Sequence, residues 1–219
     1  MPGLEVLYVD DPASEFAVAS ALQDTLARFE VIKAAAERDE VPYEVRALTA
    51  IVVALKPGQV DATMNPDSVL AIGKIGERDN PKMWELFTLK AAARAQAQRA
   101  RGNPTDLVPM ERLLWLKRDE LYQAASASAD GLHVGFAGGW PHHSRLLAAR
   151  FATSLSGSLE LPSLSDASAP IEDDVFVDEA LRWLNAEGRD AGDGKLDDDL
   201  TVPRWDHVRF VLDMLDTDQ

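Results

Sequence analysis

The sequence predicts a mainly α protein, with a helix-rich N-terminal domain over residues 1–129 and a smaller acidic α+β part over 130–219. Three observations carry this expectation. From Ala13 to about Asp39 no glycine or proline interrupts a run whose apolar residues recur every three or four positions. Two Asn-Pro pairs further on, Asn65-Pro66 and Asn80-Pro81, combine a capping side chain with a proline suited to the first helical position. The charge is also uneven: of a net −15, residues 1–129 carry −4 and residues 130–219 carry −11.

Element by element, Leu4 to Val9 is a short β-type run closed by Asp10-Asp11-Pro12, where aspartate can accept the unpaired N–H groups of a starting helix. The spacing of Val18, Leu22, Leu26, Phe29, Ile32 and Ala36 puts them on one face of that helix, which Pro42 ends. Val45, Leu48, Val52 and Leu55 continue a helical spacing, yet Thr49 to Leu55 reads equally as a buried strand, since periodicity does not separate the two over so short a run. The helix opened by Asn80-Pro81 runs to Gly102 with Trp84, Phe87, Ala91 and Ala95 inward. Another starts near Thr105-Asp106, carries Leu113, Leu114, Leu116 and Leu121, and fades through Ala124 to Ala129. The Ala/Ser run and Asp130-Gly131 then mark the boundary between the two parts.

Beyond it, Leu132 to Ala137 reads as a strand, Gly138-Gly139-Trp140-Pro141 as a turn, His142 to about Ser156 as a helix, and Ser158 to Leu161 as a second strand. Residues 163–170 look like a polar linker. Two amphipathic helices follow, one with Phe176, Ala180, Leu181 and Leu184 inward, the other with Trp205, Val208, Leu212 and Leu215. Between them, residues 188–199 are too polar and glycine-rich to pack and are expected to be a mobile loop.

Composition excludes several classes of function. The chain has 219 residues, enough to bury a core, and no cysteine, which removes disulfides, thiolate metal sites and cysteine nucleophiles together. There is no basic stretch followed by an apolar segment at the N-terminus and no apolar run of membrane-spanning length, so a soluble, cytoplasmic protein is expected. A field of −15 repels nucleic acid and anionic membrane alike.

Four constellations could carry chemistry. Asp193-Gly194-Lys195-Leu196-Asp197 matches the middle of a calcium-binding EF-hand loop, but the same register puts Arg189 at the first ligand position and Leu200 where a bidentate glutamate belongs, so charge and ligand count are both wrong. His133, His142 and His143 lie within eleven residues and could pass protons or hold zinc, although no third ligand is fixed by spacing. Gly138 and Gly139 precede a helix carrying Ser144 and Arg145 in its first turn, an arrangement that can bind an anion through exposed N–H groups. Lys90, Arg94, Arg99 and Arg101 make the helix after Pro81 the most basic element, able to pair with acidic Asp197, Asp198 and Asp199 of the same chain or a neighbour.

The run Val6 to Pro12, with its paired acids after a first strand, resembles the start of response-regulator receiver domains. That likeness implies an α/β fold with further strands at Phe29 to Ile32, Ala50 to Leu55, before Thr88 and at Leu107 to Pro109. The position of that family's phospho-acceptor aspartate falls near Val53 or Ala54, and Val108 replaces its lysine, so a receiver here would be degenerate and unphosphorylated.

With no catalytic constellation assembled in the sequence, the expected function is protein–protein interaction, as an adaptor or assembly subunit. The acidic C-terminal surface, with Trp205 beside it, would meet a partner with a basic face, and a homo-oligomer is the second expectation. No cofactor and no metal are expected. The alternatives are the degenerate receiver and an enzyme whose site includes His133, His142 or His143.

Overall fold

In the computed structural model, residues 3–38, 47–58, 63–77, 80–100, 125–138, 141–159 and 206–216 are described. The chain begins as the sequence predicts. Strand β1 (Leu4–Val9) stops at Asp11, whose side chain accepts a hydrogen bond from Ala13 N at 3.0 Å, and one 3-10 turn with Pro12 at its start leads into helix α1 (Glu15–Arg38). Val18, Leu22, Phe29, Ile32 and Ala36 are all buried on its inner face.

From there the expected mainly α architecture is corrected. The centre of the molecule is a five-stranded sheet in the order β1-β3-β2-β5-β4, built from β2 (Ala50–Leu55), β3 (Val69–Ile75), β4 (Ser126–Ala129) and β5 (Leu132–Ala137) beside β1. Among the described residues every pairing is antiparallel. This also removes the receiver-like alternative, which requires parallel strands. Helices cover both faces: α1 and α3 (Pro141–Ser158) on one, α2 (Pro81–Ala100) and α4 (Phe210–Asp216) on the other.

Leu4 to Val9 and Leu132 to Ala137 are strands as expected, and the double cover explains why β2 reads equally as helix or strand and β3 gives no strand signal. An antiparallel sheet with one wet face alternates apolar and polar residues, whereas a strand covered on both faces reads as one apolar run. In β2, Val52 and Ala54 join the core under α1 and α3, while Ile51, Val53 and Leu55 join the core under α2. The period of two is present, but both phases are apolar.

Three local expectations are corrected with it. Asn65-Pro66 opens one 3-10 turn, not a long helix: the Asn65 side chain accepts from Ser68 N and the Ser68 hydroxyl accepts from Asn65 N, each at 3.0 Å, and Val69 is already extended. A cap with proline fixes where a turn begins and says nothing of its length. The Ala/Ser run read as a fading helix is strand β4. Ser158 and Leu159 continue α3, with Leu159 N bonded to Leu155 O at 3.0 Å, rather than starting a strand.

Asp130 and Gly131, the expected boundary, form the turn of the β4–β5 hairpin. Both have positive φ, 47° and 82°, the signature of the tight two-residue turn whose twist matches that of the strands it joins. β5 in turn pairs with β2, so the sheet draws strands from both sides of residue 130. The helix expected after Thr105, the linker at 163–170, the helix with Phe176 to Leu184 and the loop at 188–199 lie outside the described residues. Among those described, no helix is long and apolar enough to cross a membrane.

Candidate functional site

The chemistry that the sequence could not assemble lies on the α2 side of the β4–β5 hairpin. Antiparallel pairing places Ser126 opposite Gly135 and Ser128 opposite His133. Because side chains alternate along a strand, these residues face α2 while Ala127, Leu132, Val134 and Phe136 face the other core. Gly135 lets α2 come close, since a Cβ there would collide with the Ala91 carbonyl and the Ala95 amide nitrogen. Further along the helix, Gln98 reaches the two serines, and the buried Arg99 beside it is near enough for its charge to act on the histidine.

The hydrogen bonds form a directed chain. Ser126 Oγ donates to Gln98 Oε1, Gln98 Nε2 donates to Ser128 Oγ, and Ser128 Oγ meets His133 Nδ1, each at 3.0 Å. A hydroxyl can donate once and accept twice, so Ser128 can accept from Gln98 and still bond the ring in either sense. His133 is 2% exposed, and burial first, then the charge of Arg99, lowers its pKa from 6.5 to about 4.

Ser128 and His133 have the spacing of a nucleophile and its base. Their electrostatics run the other way. A general base is tuned toward neutral pH, by a carboxylate behind the imidazole in the serine hydrolases; here burial, and after it the charge of Arg99, lowers the ring's affinity for protons. The arrangement is suited to holding a neutral imidazole between helix and hairpin, and it does so with hydrogen bonds that leave the buried polar groups of Ser126, Gln98 and Ser128 satisfied.

The predicted site residues fall in different places. Arg94 and Arg99, read as part of a basic surface, are interior, and Arg94 Nη1 donates to Phe136 O at 2.6 Å. α2 buries more than one stripe because the sheet lies on one side of it and α4 packs on another. Lys90 is half-buried. Of the expected anion site, Gly138, Ser144 and Arg145 are buried, and the Ser144 hydroxyl is committed to Gly138 O at 2.7 Å. Gly139, Arg101, Asp197, Asp198, Asp199 and Trp205 lie outside the described residues, as do the side chains of His142 and His143. Among the described residues no three histidine, aspartate or glutamate side chains are placed to hold a metal ion.

A second site was legible but not read. Successive helical residues turn by about 100°, so the spacing that puts Val18, Leu22 and Phe29 inward puts Phe16 on the opposite face. It is 85% exposed. Ala19, Ser20, Gln23, Ala27, Glu30, Val31 and Ala34 share that face and are exposed, Val31 by 45%. The outer side of a surface helix ordinarily carries charged residues; between Phe16 and Ala34 this one has a single charge, Glu30. Beside it, Arg150 of α3 holds Asp24 in a two-pronged ion pair at 2.6 and 2.9 Å, fixing α1 on the body of the protein.

A scan against family models, a search of curated proteins and a search of solved structures each found no significant match to this chain.

Proposed function

We propose that the protein is a non-catalytic protein–protein interaction subunit, an adaptor or assembly component, that docks through the outer face of α1. The observation that carries this reading is Phe16, a large aromatic side chain 85% exposed at the head of a nearly uncharged helix face. An exposed aromatic surrounded by small and uncharged residues gains by being covered, because burying a phenyl ring contributes about 1.5–3 kcal/mol. Aromatic anchors are also the residues that dominate interface energetics. The acidic part of the chain adds a second preference: a partner reaching residues 130–219, which carry a net −11, would present a basic face.

The test compares the wild type with Phe16→Glu as bait in affinity capture from the native cell. Because Phe16 lies on the solvent side, the variant should melt with the wild type while losing the proteins that the wild type retains. Identical captured sets from the two baits would refute docking through α1.

A further inference from the structure

We draw no further inference here: the strongest candidate, the exposed outer face of α1 around Phe16 and Val31, belongs to the docking surface already proposed, and nothing in the structure shows what covers it.

Discussion

Replacing His133 with asparagine should flatten the dependence of stability on pH. In the folded protein the ring takes up a proton only near pH 4, whereas in the unfolded chain it does so near 6.5. Above 6.5 both states are neutral there and the ring contributes no pH dependence. As pH falls through 6.5 the unfolded chain binds the proton and the folded protein does not, so stability is lost progressively until about pH 4 and the loss is constant below that. Proton linkage puts the full loss at roughly 3 kcal/mol, of which about 2 kcal/mol falls between about pH 7 and about pH 5. Asparagine can still hydrogen-bond the Ser128 hydroxyl but does not titrate. Urea unfolding near the two pH values should therefore show the wild type losing about 2 kcal/mol more than His133→Asn, the carboxylates that titrate in both proteins cancelling in the difference. Equal pH dependence in the two proteins would refute the burial of a neutral imidazole against α2.

Two further substitutions probe the frame around that site. Gly135→Ala pushes a methyl group into the backbone of α2 at Ala91 and Ala95; overpacking against backbone that cannot rotate away should cost about 3 kcal/mol, lowering the melting temperature by roughly 6–12 °C. A variant that melts within a degree of the wild type would mean that α2 does not lie so close. Asn65→Ala removes the reciprocal cap that turns the chain into β3 and should lower stability by about 1 kcal/mol in denaturant titration, with Asn65→Asp retaining most of it. An unchanged midpoint for the alanine variant would show that the cap does not hold the turn.

The helices were legible where one face meets the core and the other meets water. α1 is the example: the pattern of Val18, Leu22, Phe29 and Ile32 specifies its existence and its inner face, and by the same count its outer face with Phe16. β2 and β3 were not legible in this way. Val69 to Ile75 contains no polar residue before Lys74, because helices on both sides of the sheet leave no wet face to mark. β4 carried a signal that went unread. Ser126-Ala127-Ser128-Ala129 alternates with a period of two and runs straight into Asp130-Gly131, a strong mark of a hairpin turn. Followed through, it would have set Ser128 opposite His133.

What the hairpin could not disclose is Gln98, which comes to the same place from a different element about 30 positions earlier. A basic residue on a helix is exposed by default, and only the approach of the sheet, permitted by Gly135, turned Arg94 and Arg99 inward. The sequence by itself determined the charge asymmetry, the cysteine-free chemistry, the long first helix and the face of it that stays wet. Tertiary structure alone decided that the core is a sheet covered on both sides, and that a serine, a glutamine and a histidine from three elements share one hydrogen-bonded chain. The physical reason is that local patterns record which side of an element meets water, and an element enclosed on both sides leaves no such record.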